Sequence, residues 1–131
     1  MFIDASALTA ILADEGDAPE LLARIQKARI RITSPLAVWE TVLAIARNLD
    51  LEVRHAHQAV EGFLGLAEIR VIAVPAEARN QAIDAYDRYG KSRHPASLNF
   101  GDCFAYACAR IAGVPLLYKG DDFPQTDIET A

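Results

Sequence analysis

Apolar residues along this chain fall into short runs separated by helical stripes, and the alternation lays out an ordered series of elements. Met1–Ile3 is a short apolar strand that leads into Asp4, Ala5 and Ser6, after which Ala7, Leu8, Ala10, Ile11 and Leu12 continue as a helix. Asp14–Pro19 is a polar loop, and Glu20–Ala28 is an amphipathic helix with Leu21, Leu22 and Ile25 on one face and Arg24 and Lys27 on the other. In Ile30–Thr33, Ile30 and Ile32 alternate with Arg29 and Arg31, the pattern of a partly exposed edge strand. Ser34 and Pro35 mark a helix start, a cap followed by a first-turn proline, and the run LAVWETVLAIARNL behind them is apolar almost all round.

Asp50 is expected to cap the next helix, through Glu52–Ala67, whose stripe is Val53, Ala56, Val60, Phe63 and Leu64. With its predecessor it forms an antiparallel hairpin, a surface suited to a partner or a second copy. Ile69–Val74 reads as a third strand and Pro75–Tyr89 as a helix with Ala78, Ala82, Ile83, Ala85 and Tyr86 inward. After the basic loop Gly90–Ser97, Asn99 or Gly101 opens a helix that Gly113 ends, and Leu116, Leu117 and Tyr118 form a last strand running into Lys119, Gly120, Asp121 and Asp122. The order β-α-α-β-α-α-β-α-α-β requires right-handed crossovers, so an α/β chain with a central parallel sheet of four or five strands covered by helices is expected.

At 131 residues and 52% hydrophobic content, residues 1–131 fit a single domain that needs no disulfide. No run approaches the length of a membrane span and the first residues lack the features of a signal peptide, so a cytoplasmic protein is expected. Cys103 and Cys108 diverge by about 140° on one helix and read as core residues. His55 and His57 point to nearly opposite sides of theirs, which argues for a solvated face and against a metal site.

The chemistry lies in isolated carboxylates. Asp4 is the only charge among the first thirteen residues, Glu40 the only one between Ile32 and Ala46, and Asp102 the only one between Pro95 and Ala109. Asp4 and Asp102 each have an ordinary explanation as acids at a helix start. Glu40 does not, because in the second turn the helix dipole has faded. Asp121 and Asp122 follow a strand's carboxyl end, where α/β folds bind ligands, although for this pair taken alone an ordinary Gly-Asp turn is the better account. Taken together, these acids make sense as an oxygen-rich, histidine-free pocket for Mg²⁺ or Mn²⁺. The net charge of −5 first argues against a nucleic-acid partner. Setting Asp4, Glu40, Asp102 and Asp121 aside as one cluster leaves 14 of the 18 acids against 13 bases, a nearly neutral remainder.

The segments MFIDASAL, the helix bearing Glu40, LNFGDCFAYA and LLYKGDDF resemble the PIN-domain ribonucleases, specifically the VapC-type toxins of bacterial toxin–antitoxin pairs, across essentially the whole chain. The resemblance implies a PIN-like α/β/α sandwich and a Mg²⁺- or Mn²⁺-dependent endoribonuclease. It places Asp4, Glu40 and Asp102 as the three main acids, Asp121 as the fourth with Asp122 as its alternative, and Ser6 as a hydroxyl supporting the first acid. In the mechanism this suggests, Asp4 and Asp102 hold a metal ion, Glu40 and Asp121 complete its shell, and Arg93 or the nearby Lys91 positions the RNA backbone. The implied partners are a VapB-type antitoxin whose tail occupies the active-site groove, the RNA substrate and a second copy in a homodimer.

Three other readings compete with it. A two-component receiver domain could use Lys119 but would need a phosphoacceptor Asp at the end of the third strand, and Val71–Pro75 offers none. A phosphatase of the haloacid dehalogenase type would need a second Asp where Ser6 stands, and a non-catalytic α/β interaction module would leave the acids satisfied by caps and surface arginines.

Overall fold

Four two-residue strands form one parallel sheet in the order β3-β2-β1-β4, where β1 is Phe2–Ile3, β2 Ile32–Thr33, β3 Arg70–Val71 and β4 Leu116–Leu117. The computed structural model describes all residues from Met1 to Ala131. Six helices connect and cover the strands: α1 (Ala5–Leu12), α2 (Ala18–Lys27), α3 (Pro35–Asn48), α4 (Val53–Leu66), α5 (Ala78–Tyr89) and α6 (Phe100–Ala112). Element order and sandwich architecture are those the sequence predicts, with four strands. Residues Glu129–Ala131 add only a bridge along the outer edge of β4.

Alternation along the central strands divides the core in two. Phe2, Ile32 and Leu116 face the layer of α5 and α6, whereas Ile3 and Leu117 face α1–α4. Both faces of a parallel sheet are buried, so its strands must be apolar on every position. Among the buried strands β1, β2 and β4, Thr33 is the exception, and its hydroxyl donates 2.8 Å to the Ile3 carbonyl, while β3 at the edge is exposed at both Arg70 and Val71. The topological switch point falls at β1, where the chain leaves leftward through α1 and α2 to β2 and β4 returns on the right. The carboxyl ends of β1 and β4 therefore lie side by side, with Ile3 in register with Leu117.

Some local expectations are corrected. β2 is not an edge strand: it lies between β3 and β1 with Ile32 and Thr33 buried. The alternating Arg31 turns its guanidinium onto the carbonyls of Ala28, Gln26 and Ala67 instead of out to water. The N-cap of α4 is Glu52 and not Asp50, which takes a positive φ of 50° in the preceding turn. β3 spans only Arg70–Val71, and α5 begins at Ala78. Most consequentially, α5 meets α6 through the narrow stripe Ala78, Ala82 and Ala85, which leaves Ile83 68% and Tyr86 45% exposed.

Candidate active site

Asp4 follows β1 directly and caps α1. Its Oδ2 accepts from the Ser6 amide at 3.0 Å and the Ser6 hydroxyl at 2.5 Å. Ser6 Oγ in turn accepts from the Lys119 amide at 3.0 Å, just past β4. One hydroxyl thus joins the first acid to the far end of the chain. Asp4 is only 5% exposed, and burial raises its carboxyl above the ordinary range against the opposing pull of the Ser6 and Ala5 hydrogen bonds.

Glu40 reaches the same place from the second turn of α3, half-buried. Its carboxyl is pushed up to about 7, first by burial and then by the charges of Asp4 and Asp102. It sits against the first turn of α6 so closely that a Cβ on Gly101 would lie 2.4 Å from both Glu40 oxygens. Only glycine leaves room for this carboxylate.

Asp102 occupies the third position of α6 in a reciprocal capping box: its Oδ2 accepts from the Asn99 amide at 2.9 Å, and its own amide donates to Asn99 Oδ1 at 2.9 Å. Burial raises its carboxyl to about 6. The Asn99 hydrogen bond opposes the shift, while Asp4 and Asp122 add to it. The capping and site readings of Asp4 and Asp102 are therefore compatible, since each caps its helix while facing the same cleft.

That cleft is open and has a volume of about 670 Å³. Its lining includes Asp4, Ser6, Thr9, Glu15, Trp39, Glu40, Arg47, Asn99, Asp102 and Lys119. Asp121 and Asp122 are exposed and stand outside the lining. Of the two, Asp122 is close enough for its charge to act on Asp102, while the Asp121 carbonyl accepts from Gln125 at 3.0 Å. Gly120, just before them, takes a positive φ of 106°.

The cations expected to meet RNA lie elsewhere. Arg93 pairs with Asp87 at 2.6 Å, and Lys91 is exposed off the cleft. The cations that do line it, Arg47 and Lys119, were not singled out for this role. Arg47 carries a readable signal, because seven residues after Glu40 it falls two turns along the same helical face. Trp39, 63% exposed beside Glu40, is likewise visible only once the helix is oriented.

A hard divalent cation suits this donor set: carboxylate oxygens and a hydroxyl, with no histidine or cysteine. Burial raises the carboxyls of both Glu40 and Asp102, the charge of Asp4 adds to each, and a bound cation would relieve that electrostatic cost. As the side chains stand, no three of them close into a finished ligand set, so water would supply much of the coordination, as Mg²⁺ tolerates.

Comparison with known proteins gives the family of the chain. The family model for the PIN domain matches residues 1–129. The chain is 43% identical to the VapC ribonuclease Mb0640 of Mycobacterium bovis, covering 99% of this chain and 97% of that protein. It is 41% identical to a ribonuclease VapC of Mycolicibacterium smegmatis, over 98% and 97%, and 38% identical to the VapC ribonuclease R02377 of Rhizobium meliloti, over 97% and 98%. Among solved structures, Mycobacterium tuberculosis VapC20, described as a sarcin-ricin loop cleaving toxin, superposes with a TM-score of 0.72 at 22% identity, covering 99% of this chain and 97% of that one. That last likeness concerns the fold.

Proposed function

From the premise that this chain belongs to the PIN-domain family, among its VapC ribonucleases, we propose that it is an endoribonuclease toxin that cuts RNA in the Asp4–Glu40–Asp102 cleft with the help of Mg²⁺ or Mn²⁺. The observation that carries the reading is the convergence of three isolated acids, from β1, α3 and α6, on one cleft beside the carboxyl end of β1.

Asp4, Glu40 and Asp102 would hold the cation, with Asp122, or Asp121 beside it, as the outer acid. When bound, the cation supplies Lewis-acid stabilisation of charge on the attacked phosphate and makes water a better nucleophile. The chain's own residues contribute orientation. Ser6 fixes the Asp4 carboxylate, Asn99 fixes that of Asp102, and the missing side chain of Gly101 lets the Glu40 carboxylate lie against the first turn of α6. Because the donors come from a strand end and the first two turns of helices, they sit on rigid elements, as a site that positions a phosphodiester requires.

Two apolar surfaces support the partner assignments. Pro35, Val38, Trp39, Val42 and Val53 line a groove between α3 and α4, which shares Trp39 and Leu43 with the acid cleft. An antitoxin segment lying there would reach the acids. Ala82, Ile83, Tyr86, Phe100 and Phe104 line a second apolar groove between α5 and α6, suited to a second copy. No helix is long and apolar enough to cross a membrane, in keeping with action on RNA in the cytoplasm.

The test uses purified protein and cellular RNA. Wild type should cleave in Mg²⁺ or Mn²⁺ and stop on chelation, while Asp4→Asn and Asp102→Asn should keep a folded-protein circular dichroism spectrum and lose cleavage. Wild-type rates from either variant would refute the assignment.

A further inference from the structure

An RNA strand entering this cleft meets the negative charges of Asp4, Glu15, Glu40 and Asp102. Only two cations stand among them. Lys119 is already engaged, its ammonium paired with Glu15 and with Asp17 at 3.3 Å. Arg47 is different: it is exposed, lines the same cleft and forms no ion pair with any carboxylate of the chain.

Its placement follows from α3. The rise of about 10 Å over seven residues puts the Arg47 backbone two turns beyond Glu40 on one face. Long helical side chains lean toward the N-terminus, which carries the guanidinium back toward the acids. A planar fork with five donors matches a phosphodiester's two free oxygens, which a lysine in the same place would meet as a point charge.

We infer that Arg47 is the phosphate clamp of the cleft, gripping an RNA phosphate next to the one cut and setting the strand's course along α3. The inference rests on the ribonuclease reading above and gives Arg47 the task that the sequence assigned to Arg93 or Lys91, both of which lie off the cleft. A plainer role exists, because Arg47 lies in the last turn of α3, where any cation favours the helix dipole. That role would affect stability and leave RNA contacts unchanged.

The experiment separates the two by measuring binding apart from cleavage. A fluorescein-labelled single-stranded RNA of mixed sequence is titrated by anisotropy against the Asp102→Asn protein, with and without Arg47→Gln or Arg47→Lys, across a salt series. Arg47→Gln should weaken binding by about tenfold or more, the loss of a charge-assisted hydrogen-bonded contact. It should also make the slope of log Kd against log salt shallower by roughly 0.7, one phosphate on a single strand. Arg47→Lys should keep most of the slope and lose part of the affinity. In the cleaving protein, Arg47→Gln should raise KM more than it lowers kcat. An unchanged Kd and salt slope in Arg47→Gln, with only a lower melting temperature, would overturn the clamp. If Arg47 governs binding but the intact protein cuts no RNA, the clamp stands and the nuclease reading falls.

Discussion

Replacing Glu40 by Gln should stabilise the cation-free protein while abolishing its activity, and the size of the gain can be worked from the site. In the folded chain the Glu40 carboxyl titrates at about 7 instead of 4.5, through burial and the neighbouring charges of Asp4 and Asp102. Full desolvation would make that difference worth about 3 kcal/mol. Glu40 is only half-buried, and solvent screening reduces the figure to about 1–2 kcal/mol. The sign follows from proton linkage. Below pH 4.5 the group is neutral in both folded and unfolded chains and costs nothing. Between 4.5 and about 7 the folded chain holds a proton that the unfolded chain releases, so stability falls as pH rises and the full cost is present above 7.

Glutamine carries no charge at any pH and escapes this cost. A chain of this length unfolds with an entropy of about 0.28 kcal/mol/K, so Glu40→Gln should melt about 4–7 °C higher than wild type at pH 8 in chelator. The gain should shrink to about 1–2 °C at pH 5. Calorimetry or fluorescence melts at the two pH values give the answer. A shift of equal size at both, or a glutamine variant less stable than wild type at pH 8, would show that Glu40 is not held charged against its neighbours and would refute the electrostatic account of the site.

Gly101→Ala would ordinarily gain about 1 kcal/mol in a helix, but here the added methyl lies on the Glu40 carboxylate. That gain should be missing and RNA cleavage should fall on the order of 100-fold, the cost of displacing a positioned group by about 1 Å, as read from initial rates. Asp122→Asn should reduce cleavage more than Asp121→Asn, because Asp122 is the one whose charge reaches Asp102. Equal effects in a side-by-side rate measurement would remove that distinction.

The order of elements was legible because each stripe and run has one period. The isolated acids were legible because a single charge in an apolar stretch demands a reason. Glu40 was the most informative, since no cap explains it, and it proved to be the residue pressed between two other carboxylates. Less local features escaped. The exposure of Ile83 and Tyr86 depends on how narrowly α5 seats on α6 through alanines, which no single-helix pattern contains. β2 resembled an edge strand because Arg29 and Arg31 alternate with isoleucines, yet Arg31 ends on three backbone carbonyls. Arg47 resembled any solvated residue at a helix end. Its meaning depends on which face of α3 borders the cleft, and that is set by tertiary packing. Asp121 and Asp122 are adjacent in sequence, and only the folded turn brings the charge of Asp122 to bear on Asp102.

The pairing of β1 with β4, the first strand of the chain with the last, has a practical corollary. Severing the chain in the loop between β3 and α5 would leave Asp4 and Glu40 on one piece and Asp102 and Asp122 on the other. The second piece would keep β4 without β1, its neighbour in the sheet. Each half would be harmless in a living cell, and toxicity would return only where the two meet, which suits the molecule to use as a split reporter of association.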